Sequence, residues 1–242
     1  MAERKGGQLT DERYVHAWLL RLDPAWRRLS AEDRRSDIND FSAAVTRSEQ
    51  RLIQYSYSTI GLRVEGDLLL WRMAQHLEDV EQTAADLLAS GVGKWLTPSI
   101  SLTGLTRPSQ YVKRPTAQEQ SLFEGDRARY LVVYPFVKST DWYLTPAAER
   151  QETMRGHMRV GHRYPQVRQL LAYSFGLDDQ EFIVAYETDD LVAFQDLVRE
   201  LRETESRRAT VRDTPIITGI SRPAADILAL LDGRDGVGAV PA

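Results

Sequence analysis

The sequence predicts an α+β fold: two tandem copies of a β-α-β-β-α-β unit, with antiparallel strands forming a barrel and helices outside. Three observations carry this expectation. The apolar pattern runs strand, helix, strand, strand, helix, strand, and then repeats that order. Two segments in corresponding places share a character: DLLLWRMAQHLEDVEQTAADLLAS and EFIVAYETDDLVAFQDLVRELRE are each a strand, a short turn and an amphipathic helix. The length, 242 residues, suits one large domain or two of about 100–120 residues. The unit has the element order of a ferredoxin-like domain, and its repetition reads as an internal duplication. The alternative is one unrelated α+β domain.

Each element has its own signal. Tyr14 to Leu22 alternates and carries aromatics, as a strand does. Ser30 is an N-cap three residues before Asp33, opening a helix to about Gln50 with Ile38, Phe41, Ala44 and Val45 on one stripe. Arg51 to Ser58 and Asp67 to Met73 read as a hairpin. Leu77 to Ala89 is a helix facing inward through Val80, Ala84, Leu87 and Leu88. Gly91 and Gly93 read as a helix C-cap and turn rather than a nucleotide loop. Ile100 to Leu105 closes the first unit, 1–106. A polar stretch with two prolines makes a linker, 107–127. The second unit, 128–242, begins with a strand at Arg129 to Phe136. Thr145-Pro146 then starts a helix to about His162. Strands follow at Val167 to Phe175 and Phe182 to Glu187, a helix at Leu191 to Glu203, a strand at Val211 to Ile217, and a helical tail at Ile227 to Leu231.

Composition narrows the function. Thirty-one Lys and Arg against 35 Asp and Glu give a net charge of −4, with no basic field for nucleic acid. There is no cysteine, which excludes disulfides, thiolate metal sites and thiol nucleophiles. The N-terminal stretch lacks a signal-peptide pattern, and no apolar run approaches the roughly 18 residues of a membrane span. A cytoplasmic protein is expected. Phosphate-loop, zinc-protease and serine-hydrolase motifs are missing. With four histidines and no cysteine, a transition metal or haem iron would most readily use His16, His76, His157 or His162.

The second half carries a resemblance. The strings YPFVKSTDWYL, RGHMRVG, GLDDQEFIVAYETDDLVAF and LRETES are similar to the chlorite dismutase superfamily, over about residues 130–220 by motif and nearly the whole chain by topology. That family holds haem in the second of two ferredoxin-like domains. It includes chlorite-degrading enzymes and coproheme decarboxylases. GLDD and YETDD resemble the first branch; YPFVK and LRETES resemble the second.

What the resemblance implies can be placed residue by residue. His157, in RGHMRVG, is the proximal iron ligand. His162 lies five residues on, about 140° around the helix, so the two cannot face one iron. Tyr134 and Lys138 match the redox-active tyrosine of the decarboxylases and the lysine four residues after it, whose cation attracts a substrate propionate. Gln169 stands where chlorite-degrading enzymes place a distal arginine. Arg168, next to it, should point to the opposite face of the strand, so a one-residue slip would exchange them. Ser206, preceded by Glu205, stands where those enzymes have a glutamate bonded to the ligand histidine. Trp142 and Tyr143 match an aromatic pair near the haem. Tyr111, Lys113 and Arg114 resemble a stretch closing over the porphyrin edge. Arg207, Arg208 and Arg212 are further propionate candidates.

The function implied first is peroxide-dependent decarboxylation of iron coproporphyrin III (coproheme) to haem b through a radical on Tyr134, by a homopentamer. Chlorite breakdown to chloride and dioxygen is the alternative, favoured by GLDD and YETDD. A haem-binding, peroxidase-like or sensing protein is a third. A non-haem barrel used for assembly or small-molecule binding is a fourth.

Overall fold

The computed structural model describes residues 12–107 and 126–234. Tyr111, Lys113 and Arg114, and most of the expected linker, lie outside the described residues. The fold is mixed α+β, an antiparallel sheet ringed by helices. In chain order it comprises β1 (Tyr14–Leu22), α1 (Ala31–Ser48), β2 (Ile53–Ser58), β3 (Leu68–Ala74), α2 (Leu77–Ala89) and β4 (Leu96–Thr106). After the interruption come β5 (Tyr130–Lys138), α3 (Thr140–Leu144), α4 (Ala147–Gly161), β6 (Arg168–Tyr173), β7 (Phe182–Thr188), α5 (Leu191–Arg202), β8 (Thr210–Arg212), β9 (Ile217–Ser221) and α6 (Ala224–Leu231).

The strands run in the order β7-β6-β4-β1-β3-β2-β9-β5-β8, and β5 also pairs with β7. The pairings therefore return on themselves. The first half contributes β4-β1-β3-β2, and the second contributes β9-β5-β7-β6, the same order of first, second, third and fourth strands. The halves join where β4 pairs β6 through Leu105 and Thr106, and where β2 pairs β9 through Tyr57 and Ser58.

Side-chain alternation gives this sheet two faces. The inner face is one apolar cluster drawn from both halves, including Val15, Ala17, Leu19, Tyr57, Leu69, Trp71, Leu131, Val133, Leu170, Ile183 and Ala185. The outer face of the first half is packed as densely. Trp18, Leu20, Leu68 and Leu70 meet the α1 stripe of Ile38, Phe41, Ala44 and Val45, together with Leu87 of α2 and Ile227, Leu228 and Leu231 of α6. Ser30 caps α1 through Asp33 N–H, and Asp33 accepts a bond from the Ser30 hydroxyl in return.

Several expectations are corrected. The strand expected at Val211 to Ile217 is two strands, β8 and β9, because β5 exchanges one partner for the other between Val133 and Val137. Pro135 sits in that gap, where no backbone donor is required. Thr145 does not cap α4. It ends α3, its hydroxyl bonding Asp141 O at 2.7 Å, and Pro146 stands at the N-cap of α4 with no side-chain bond. β4 begins at Leu96, four residues before the expected start. The C-cap of α2 is Ser90 rather than a glycine, and Gly91 and Gly93 lie in the 3-10 turn that follows, Gly91–Trp95, where packing requires glycine. A Cβ at Gly93 would lie 1.7 Å from Leu87 O, and one at Gly91 would lie 2.0 Å from Asp37 O.

The filled outer face of the first half yields a stability prediction. Phe41→Ala removes a fully buried ring and should cost about 3–5 kcal/mol, measured as a shift in the urea midpoint at unchanged m-value.

Candidate functional site

The second half repeats the strand order but not the packing. Val132 and Tyr134 of β5, Gln169 of β6, and Val184 and Tyr186 of β7 alternate with inner-face residues and so face outward. Over this face lie α5, through Phe194, Leu197 and Leu201, and beside it α4. None of its fifteen residues is fully buried, and its sequence AAERQETMRGHMRVG has no apolar stripe comparable to that of α1. The fully buried apolar cluster on this side is Val167, Tyr186 and Leu197, with Tyr134, Val160, Tyr164, Val184, Phe194 and Leu201 partly buried around it. Tyr134 and the end of α4 therefore share one cluster.

His157 is on α4, and its Nδ1 lies 3.1 Å from Ser206 Oγ. Ser206 is buried at the start of a 3-10 turn, Glu205–Ala209, and its hydroxyl also lies 2.9 Å from Thr204 Oγ1. Its carbonyl accepts a 2.9 Å bond from Lys138 Nζ. Burial, and then the Lys138 cation, push the His157 imidazolium down to about 4. At neutral pH the ring is an uncharged imidazole. With Nδ1 donating to Ser206, its lone pair is on Nε2, the form that ligates a metal.

Lys138 sits beneath this pair. Its ammonium is 4.5 Å from the Trp142 ring centroid and 5.3 Å from that of Phe136. Burial and the Arg207 cation lower it to about 8, with Glu181 opposing. Glu181 Oε2 accepts 2.6 Å bonds from Lys138 N–H and from the Tyr143 hydroxyl. Trp142 and Tyr143 thus frame Lys138. Of the other basic candidates, Arg207 pairs with Asp213 at 2.5 Å, and Arg208 with Glu205 at 2.8 Å on the surface.

Arg168 and Gln169 point as strand geometry requires. Arg168 turns inward, with NH2 2.9 Å from Glu187 Oε2 and 3.0 Å from Asp126 O. Glu187 is fully buried and also accepts a 2.9 Å bond from the Tyr57 hydroxyl. Gln169 is paired with Tyr186 in the β6–β7 ladder. His162 is exposed at the C-cap of α4.

Tyr186 and Glu181 belong to this region too, and the sequence reading did not single them out. The available signal was register: the alternation of FIVAYE puts Tyr186 on the face of Tyr134.

Among the described residues no group of three or more His, Asp or Glu gathers as a cage for a bare ion. One neutral imidazole with its second nitrogen anchored suits instead a metal that brings its own ring of ligands, as iron porphyrin does. The fold and site define an α+β protein that presents a histidine on a weakly packed helix to the outer face of its second half. The chain belongs to the chlorite dismutase family, whose profile, described as Chlorite dismutase, matches residues 34–222. A coproheme decarboxylase of Mycolicibacterium smegmatis is 31% identical over 204 residues, 83% of this chain and 87% of the relative. The chlorite dismutase of Candidatus Nitrospira defluvii in complex with imidazole superposes with a TM-score of 0.82 at 27% identity, covering 91% of this chain and 95% of that one. A doubly substituted variant of the same enzyme gives 0.83 at 28% identity over the same shares.

The site geometry sets one expectation for the protein without ligand. The His157 ring should titrate near 4 rather than near the ordinary histidine value. Lys138→Met removes a cation that opposes protonation, so the midpoint should rise. NMR of the imidazole nitrogens across the acid range reads both.

Proposed function

We propose that the protein is a haem-dependent enzyme that decarboxylates iron coproporphyrin III to haem b with hydrogen peroxide. One observation carries the choice within the family. The outer face under α4 presents a phenol, Tyr134, and an uncharged amide, Gln169, while the neighbouring arginine is turned inward onto Glu187. A phenol suits radical transfer to a propionate. A face without that fixed cation suits chlorite poorly, because an oxyanion leaving group needs charge stabilisation. The decarboxylase relative from Mycolicibacterium smegmatis supports the same reading. The matching strand orders and the β5–β7 pairing support two duplicated ferredoxin-like units closing into a barrel, with the second as the porphyrin domain. Assembly as a homopentamer belongs to this proposal.

When bound, the iron porphyrin supplies one-electron oxidation driven by peroxide. The chain's own residues do the rest. His157 would ligate the iron through Nε2, and Ser206 fixes its ring. Serine is a neutral partner, so it leaves the imidazole less electron-rich than a carboxylate would. Lys138 holds the Ser206 carbonyl with one of its three N–H donors. The other two are available to a propionate. Burial keeps the Tyr134 hydroxyl protonated well above the ordinary tyrosine range. Its oxidation therefore removes a proton together with an electron, with no net charge lost, and leaves a neutral ring. That ring draws the equivalent from the nearest propionate. Each round converts one propionate and one peroxide into a vinyl group, carbon dioxide and two waters, and two rounds give haem b. Gln169 can orient peroxide or a propionate by hydrogen bonds. Trp142 closes the Lys138 side, and Tyr111, Lys113 and Arg114 are proposed to meet the porphyrin edge.

A second reading, chlorite breakdown, is favoured by the superposition on the Nitrospira enzyme. The two readings separate on one measurement. Purified protein given chlorite should release negligible dioxygen, since loss of a fixed electrostatic donor is often worth about 2.7–4 kcal/mol in the transition state. Fast, sustained dioxygen release would select the second reading.

Two substitutions test the site. His157→Ala should abolish the ligand-dependent ferric porphyrin spectrum, and His162→Ala should leave it intact. Tyr134→Phe keeps the ring and most of its packing. Porphyrin binding should survive and haem b formation should fall to near zero, while peroxide still bleaches the bound porphyrin. Equal haem b from wild type and Tyr134→Phe would remove the phenol from the mechanism, and no haem b from wild type would leave a haem-binding protein of the same family without a biosynthetic role.

A further inference from the structure

Tyr186 follows Val184 by two residues on β7, and Val184 is the cross-strand partner of Tyr134. The two tyrosines are therefore diagonal neighbours on the outer face, within reach for aromatic side chains. Their ring centroids are 6.3 Å apart with planes inclined by 30°, and each hydroxyl acts on the proton affinity of the other. Tyr186 is only 4% exposed and packs with Val167 and Leu197, with the Phe194 ring centroid at 5.3 Å. Burial holds both hydroxyls in the neutral form.

Another oxidisable ring, Trp142, is differently placed. The Lys138 ammonium lies 4.5 Å from its centroid. A fixed cation there opposes the positive charge that an oxidised indole first carries. The Tyr134–Tyr186 pair has no such obstacle, because hydrogen-atom transfer between phenols creates no charge in a buried setting.

We propose that Tyr186 is a second seat for the radical formed on Tyr134, filled by hydrogen-atom exchange between the two phenols. The proposal deepens the decarboxylase reading and rests on it. The step balances within the pair. The O–H bond of Tyr186 breaks, an O–H bond forms on the Tyr134 oxygen, and one proton and one electron move together. Tyr134 returns to a phenol and Tyr186 becomes a neutral phenoxyl. The bond made and the bond broken are of one kind, so the exchange runs readily in both directions. Tyr186 acts through Tyr134 and needs no contact with the porphyrin. It keeps the oxidising equivalent in a buried shell until a propionate is in place.

Freeze-quench electron paramagnetic resonance, on protein loaded with iron coproporphyrin III and mixed with hydrogen peroxide, reads the radicals directly. Wild type should show two overlapping tyrosyl components. Tyr186→Phe should leave one, with a shorter radical lifetime. Tyr134→Phe should lose both, because Tyr186 is filled only through Tyr134. Identical spectra and lifetimes for wild type and Tyr186→Phe overturn the inference and leave the role of Tyr134 intact. An undiminished Tyr186 signal in Tyr134→Phe overturns it as well. Absence of any tyrosyl signal in wild type overturns it, and absence of haem b in the same sample overturns the decarboxylase reading too. In porphyrin-free protein with tyrosine labelled by carbon-13 at Cζ, Tyr186→Phe should shift the Tyr134 resonance. A Tyr134 resonance that does not move overturns the contact on which the exchange depends.

Discussion

A sheet whose pairings return on themselves has a single inner face, and both halves of the chain must fill it together. That constraint sets much of what the second half can do outside. The inner cluster is apolar except near Glu187, a fully buried carboxylate. Burial raises its proton affinity, and the Arg127 and Arg168 cations and the Tyr57 hydroxyl counter that. An unpaired carboxylate there would cost several kcal/mol, so Arg168 is held by the interior. Strand alternation then gives the outer face to Gln169. The uncharged character of the candidate site is in this sense a consequence of how the inside is satisfied.

The outer faces show what the second half gives up. In the first half, Arg72 of β3 is flanked by His16 of β1 and Gln54 of β2. In the second, Tyr186 of β7 is flanked by Val132 of β5 and Gln169 of β6. Aligning the two strand-turn-helix strings makes Arg72 the counterpart of Tyr186, Gln54 that of Gln169 and Trp18 that of Tyr134. Gln54 is buried and bonded to Ser48 at the end of α1. Arg72 is buried against His16, Thr83 and the Val80 carbonyl, and burial, then the Arg72 cation, hold the His16 imidazolium down to about 3. One arrangement of strands thus carries two outcomes. An amphipathic helix seals the first face with its apolar stripe, and a helix without such a stripe, held at its histidine by Ser206, lies over the second.

Much of the fold was legible because periodicity reports which faces are buried. β1 and α2 fall on the residues the pattern gave, and the other elements mostly differ at their ends. The split between β8 and β9 was not legible, since it depends on which neighbour β5 pairs with, a property of the whole sheet. α3 was missed because five residues are too few to show a helical period. In the candidate site, His157, Ser206, Trp142 and Lys138 do come together, and family strings rather than spacing led to them. Tyr186 and Glu181 were passed over because each reads as an ordinary strand-end residue until a partner on another element is known. The Lys138 bond to the Ser206 carbonyl is of the same kind: it joins residues 68 positions apart.

The sealed face has a practical consequence. Trp18 and Gln54 occupy in the first half the places that Tyr134 and Gln169 hold in the second, under a helix whose Phe41 and Ile38 leave no room. The chain therefore contains its own reference state. Optical or magnetic signals arising from the half proposed to face a ligand can be set against a matched half with the same register and a closed roof, in the same molecule and the same sample. Conversely, trimming the α1 stripe would ask whether room alone is enough to turn the closed copy into a receptor.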